Sequence, residues 1–168
     1  MIKSFDVMTP SIPETAYVSQ SALVMGDVVR GEECGVWPGA VIRGEFATMR
    51  IGNGTIIEDN VVVHTGTDMA IGDNVIVGHG AVVHCRRVGD NSLIANNVTL
   101  LDNAEIGAFC VIGAGSVISP GTKIPSRSLV FGVPGQVAGD VNAHQMKRLE
   151  RGNQSYLAMF EQYRKDGI

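Results

Sequence analysis

Aromatic side chains are scarce in this sequence, at 5% of 168 residues, with a single tryptophan. A core of large interlocking rings is therefore excluded, and what is buried must be aliphatic and small. Lysine and arginine total 13 against 17 acids, a net charge of −4, and they form no run. That balance argues against nucleic acid and anionic membrane as principal partners. No apolar stretch could span a bilayer, and Met1-Ile-Lys-Ser-Phe-Asp6 lacks the apolar segment of a secretory signal, so a cytoplasmic location is expected. Cysteine is equally sparse. Cys34, Cys85 and Cys110 are odd in number and scattered, which reads as small buried hydrophobes and not as a disulfide or thiolate metal framework.

What is plentiful is glycine, at 21 residues, within a chain that is 45% apolar. A single domain over 1–168 is expected, rich in tight turns and β-branched side chains. Stepping by six residues explains both features. Ile12, Val18, Val24, Arg30, Val36 and Ile42 begin a series that resumes at Ile51, Ile57 and Val63, then at Ile71, Val77 and Val83. From Val88 it runs without interruption through Ile94, Leu100, Ile106, Ile112, Ile118, Ile124 and Val130; Arg30 alone is not aliphatic. Four residues after each of these, the side chain is nearly always small or β-branched. The pattern predicts a mainly β fold, a left-handed parallel β-helix over about 12–135, in which three hexapeptides complete one triangular turn. Successive turns would pair in parallel ladders ~4.8 Å apart. A sandwich of ordinary strands predicts alternation by two and irregular spacing instead.

After Val130-Phe-Gly-Val-Pro-Gly135 the period changes. Met146, Leu149, Asn153, Tyr156, Met159 or Phe160, and Tyr163 recur at three- and four-residue steps, predicting a C-terminal helix over about 141–165. Asp140 is the candidate N-cap and Gly152 a weak point. This helix is expected to pack back along the prism or across a subunit boundary.

The repeat frame also positions the histidines. His64 and His84 each follow the first residue of a hexapeptide, three repeats apart, so they share a column ~5 Å apart on successive turns. Two imidazoles so placed can share one metal ion. His79 falls at a different position, on another face. A copy rotated about a three-fold axis would bring it to the His64/His84 column, giving a three-histidine site between subunits with a fourth position open to water. A lone histidine in such a coil is usually an exposed corner residue; the shared column is what argues otherwise. Arg43 lies in the same column one turn earlier, and Glu58 and Asp59 lie one turn before His79. Met faces would thus set Arg43 opposite a neighbour's Asp59 in a charge-assisted pair. His144 reads as a surface residue.

The runs Trp37-Pro-Gly-Ala-Val-Ile-Arg-Gly-Glu45, Ile57-Glu-Asp-Asn-Val-Val-Val-His64 and Gly78-His-Gly-Ala-Val-Val-His84 closely resemble the gamma-class carbonic anhydrases and their short homologues. The resemblance covers nearly the whole chain, and the spacing of the three histidines is its most specific part. It implies a homotrimer in which His64, His79 and His84 hold zinc, with iron or cobalt as substitutes, and in which a metal-bound hydroxide converts CO2 reversibly to bicarbonate. Arg43 and Asp59 match the family's interface pair. Glu45 stands where the family has aspartate, and Glu58 where it has the glutamine that orients the bound water. A carboxylate there should raise the water's pKa. The acidic shuttle loop of the fullest members is missing, since Phe46-Ala-Thr48 follows Glu45. Glu58 and Glu45 are therefore the candidate proton carriers, with Tyr156 or Asn153 reaching the site from the helix. Two other readings remain: a metal-binding accessory trimer with little hydratase activity, and a CoA-dependent acyltransferase using one histidine as a base.

Overall fold

The computed structural model describes residues 1–151 and 154–167. It is a parallel β-solenoid of about seven turns. Most strands are two residues long, such as Ile56–Ile57, Ile76–Val77 and Val82–Val83, and each pairs in parallel with its equivalents one turn away. The six-residue series forms three inward columns. Ile42, Val63, Val83 and Leu100 stack on one face, Ile57, Val77 and Ile94 on the next, and all are fully buried. The small residues four positions on, among them Ala40, Val61, Ala81 and Cys110, fill the corners of the same core. Because each turn bonds its backbone only to the turns above and below, every hexapeptide needs its neighbours to bury anything. Asparagines supply many of the tight turns: Asn60, Asn74, Asn91, Asn97 and Asn103 all adopt left-handed φ values between 53° and 59°. Asparagine tolerates that conformation better than other chiral residues.

The nine-residue step from Ile42 to Ile51 is a continuous strand, Val41–Ile51, and not a loop. It runs past a corner alongside Leu23–Arg30 and joins two faces of the prism into one sheet. Arg43, Glu45 and Phe46 are carried on this strand. Arg30, the one break in the aliphatic series, still points inward and is 4% exposed. None of its guanidinium nitrogens has a hydrogen-bond partner among the described residues. Burial pulls its pKa down, opposed mainly by the neighbouring Cys34 thiol.

Both ends are closed by strands that the hexapeptide period does not signal. Ile2–Lys3 adds to Leu23–Arg30, and Gln136–Asp140 folds back antiparallel on Ser128–Phe131. Asp140 therefore ends a strand and does not cap the helix. The cap is Asn142, whose side chain accepts from the Gln145 N–H while Gln145 accepts from the Asn142 N–H, both at 2.9 Å. Helical residues α1 (Ala143–Arg151) and α2 (Gln154–Asp166) fill the expected span; Gly152 lies outside the described residues.

The α2 helix packs along its own prism. Phe160 is buried and stacks on Tyr17 with ring centroids 5.4 Å apart, and Tyr163 meets Trp37 edge-on at 4.8 Å. Gly35 makes room for this packing, since a Cβ there would lie 2.6 Å from the Phe160 ring. Arg164 donates to the carbonyls of Glu14, Thr15 and Ala16 at 3.0–3.1 Å, tying the helix to the first turn. Five aromatic residues, Tyr17, Trp37, Tyr156, Phe160 and Tyr163, gather at this helix seam and not in the solenoid core. No helix among the described residues is long and apolar enough to cross a membrane.

Candidate metal centre

The ladders place the histidines where the repeat count puts them. Val63 pairs with Val83 and Arg43 with His64, so Arg43, His64 and His84 follow one another up one column. The imidazoles of His64 and His84 have centroids 5.5 Å apart and are tilted by 48°. His84 Nδ1 lies 3.3 Å from Asp102 Oδ1. That partner fixes the tautomer that leaves Nε2 free to ligate. His64 Nε2 is buried and makes no hydrogen bond among the described residues. The nearest acid, Glu45 Oε1, is 3.5 Å away, and Glu45 itself accepts from Arg43. Burial, then the charge of Arg43, lowers the His64 pKa, with Glu45 opposing. The result favours neutral imidazole, the form that binds metal.

His79 projects from the corner Gly78-His79-Gly80. A Cβ on Gly78 would come 2.5 Å from the Asn96 side chain, and Gly80 has φ +68°, so the corner depends on both glycines. The turn leaves the His79 side chain 54% exposed. Ile57 pairs with Val77, which sets Asp59 one turn from His79, and Asp59 Oδ2 lies 2.9 Å from His79 Nδ1. Glu58 Oε2 accepts from the His79 backbone N–H at 3.2 Å. The same oxygen is 3.2 Å from Nε2. From α2, the Tyr156 hydroxyl donates to Glu58 Oε1, and burial followed by this contact raises the tyrosine's pKa. Glu58, only 7% exposed, is thus a buried carboxylate held from two sides.

One chain therefore brings together two half-sites. Arg43, Glu45, His64 and His84 form one; Glu58, Asp59, His79 and Tyr156 form the other. Among the described residues no three His, Cys, Asp or Glu side chains of a single chain converge as a metal-binding group. The residues fit a metal through His64 and His84, given the orphaned Nε2 of His64, and require one further ligand. Asn153 lies outside the described residues. Two neighbours of the half-sites went unrecognised from sequence. Asp102 sits at the turn above His84, a placement the repeat count could have supplied. Phe46, 71% exposed, stands edge-on to His64 at 6.0 Å; the repeat marks it only as a large side chain four residues after Ile42, where a small one is the rule.

Family models for the bacterial transferase hexapeptide (six repeats) and the hexapeptide repeat of succinyl-transferase match residues 87–120 and 69–102. The carbonic anhydrase of Geobacillus kaustophilus is 37% identical over 98% of this chain and 91% of its own length. The mitochondrial gamma carbonic anhydrase 2 of Arabidopsis thaliana is 32% identical over 89% of this chain. The chain belongs to the gamma carbonic anhydrase family. It spans only about half the length of the plant gamma carbonic anhydrases 1 and 2 that it matches, 48% and 56% respectively. Among solved structures, a hexapeptide transferase family protein from Anaplasma phagocytophilum superposes with a TM-score of 0.91 at 30% identity, over 95% of this chain and 96% of the other. In this member of the gamma carbonic anhydrase family two glutamates, Glu45 and Glu58, stand beside the histidines.

Proposed function

We propose that this protein is a metal-dependent carbonic anhydrase whose sites form between the subunits of a homotrimer. The observation that carries the reading is the pairing of a two-histidine column, its His64 Nε2 buried and unsatisfied, with a third histidine held outward on another corner. His64 and His84 of one subunit, with the equivalent of His79 from its neighbour, would hold zinc, iron or cobalt. When bound, such a metal supplies the Lewis acidity that makes water nucleophilic near neutral pH. Asp59 and Asp102 orient the imidazoles through their Nδ1 atoms. Glu58, held by Tyr156, is the acceptor for a proton leaving the site, and Glu45 relays it outward past Arg43. The substrate is CO2 or bicarbonate.

The buried carboxylate of Glu58 favours a second reading, a metal-binding trimer that serves an assembly and turns over little CO2. An acyltransferase reading draws on the hexapeptide transferase neighbour. Metal analysis with a CO2 hydration assay on zinc- and iron-loaded protein separates them. Bound metal with hydration above the buffer rate is expected. Bound metal with no rate in either form replaces the first reading with the second, and acetyl-CoA binding without metal replaces both with the third.

A further inference from the structure

The third face of the solenoid carries neither the histidines nor α2, and its charges are arranged unlike those elsewhere. Arg50 pairs with Ala70, and Ala70 with Arg87, so two arginines flank one alanine on consecutive rungs. Their Cα atoms are about 10 Å apart, two ladder spacings, which lets both side chains reach the space over Ala70. A groove of about 560 Å³ opens there, and Arg86 lines it from the adjoining corner. All three arginines are exposed, and their side chains make no hydrogen bond or ion pair among the described residues. Asp68 and Glu105, the latter the ladder neighbour of Arg87, also line the groove, and each has a partner of its own. Asp68 accepts from the Thr48 N–H at 3.1 Å, and Glu105 is paired with Lys123 at 3.2 Å.

Arg50 and Arg87 sit on either side of Ala70 with no acid between them, and nothing in the core requires them there. We propose that this groove binds a tetrahedral oxyanion, a phosphate or the phosphate of a small phosphomonoester, clamped between Arg50 and Arg87. Two guanidinium forks facing each other need a ligand with oxygens on two sides. A phosphate presents two such edges, a carboxylate only one. Asp68 and Glu105, lining the same groove, work against an extended polyanion such as nucleic acid. The proposal is independent of the metal site, because the face involved is separate from both half-sites.

Isothermal titration of the intact protein with inorganic phosphate tests it, with glycerol 3-phosphate and acetate in parallel. Saturable binding of one phosphate per chain is expected, at least tenfold weaker in Arg50→Gln and in Arg87→Gln and unchanged in Arg127→Gln, whose guanidinium sits over Phe109 instead. Equal binding of glycerol 3-phosphate would identify the ligand as a phosphorylated small molecule; its failure would confine the site to free phosphate. Phosphate binding that survives both groove substitutions, or that disappears in His79→Ala, would overturn the proposal. So would acetate binding as tightly as phosphate.

Discussion

His64 and His84 stack on successive turns with ring centroids 5.5 Å apart, while His79, the third histidine of the motif, is held at a corner by Asp59. A ligand set divided in this way implies that neither half works alone. His64→Ala and His79→Ala should each lose stoichiometric metal while keeping the β-rich circular dichroism of the coil, because neither side chain belongs to the core. Unfolding and refolding the two variants together should restore metal to about one site in four, since random three-fold assembly places one intact half against the other at that frequency. No recovery in the mixture, or full metal in His79→Ala alone, would remove the shared site.

Arg30 gives a prediction of the opposite kind. An inward guanidinium without a hydrogen-bond partner costs stability, and an aliphatic side chain of similar length belongs to the column it interrupts. Arg30→Leu should raise the unfolding free energy by about 1–3 kcal/mol, read as a shift of the denaturant midpoint at constant slope. A loss of stability would mean that the guanidinium is satisfied in solution, with the Cys34 sulfur the first group to examine.

These two cases also show where the sequence was legible. The period located every inward column, including the position of Arg30, because a solenoid repeats one local geometry and each step predicts the next. The same counting put Arg43 beneath His64 and Asp59 beneath His79, as the ladders do. It failed where the repeat ends. Gln136–Asp140 pairs antiparallel, so no six-residue step announces it, and that strand takes up Asp140 and passes the helix cap to Asn142. Side-chain choices between competing partners were equally hidden. Within the chain Arg43 reaches Glu45, two residues along its own strand, and a column count contains no information about that contact.

Glu58 tests the electrostatics of the proposed reaction. A buried carboxylate beside the third histidine disfavours any new negative charge in the site. Glu58→Gln keeps the shape and a hydrogen-bonding group for Tyr156 while removing that charge. The rising limb of the hydration rate against pH should move down by about one unit. The Tyr156 titration should shift downward with it, because contact with Glu58 is among the causes that hold it high. An unmoved pH profile with a shifted tyrosine would separate Glu58 from the chemistry and leave it a role in holding α2.

The cysteines predict how the coil behaves in alkali. All three are buried, and burial raises each thiol, that of Cys85 up to about 12. In the unfolded chain the same thiol ionises from its ordinary value of 9.0. Between those two values the unfolded state releases a proton that the folded state keeps, so stability is intact below pH 9 and falls as the pH rises toward 12. The slope is about 1.4 kcal/mol per pH unit for one such thiol. Denaturant midpoints at pH 8 and pH 10.5 should therefore differ, and Cys85→Ala should flatten the difference while lowering stability slightly at pH 8. Thiol reagents at pH 8 should modify the cysteines only as fast as the protein unfolds. Rapid labelling of the native protein would mean that the corners of the solenoid open on their own.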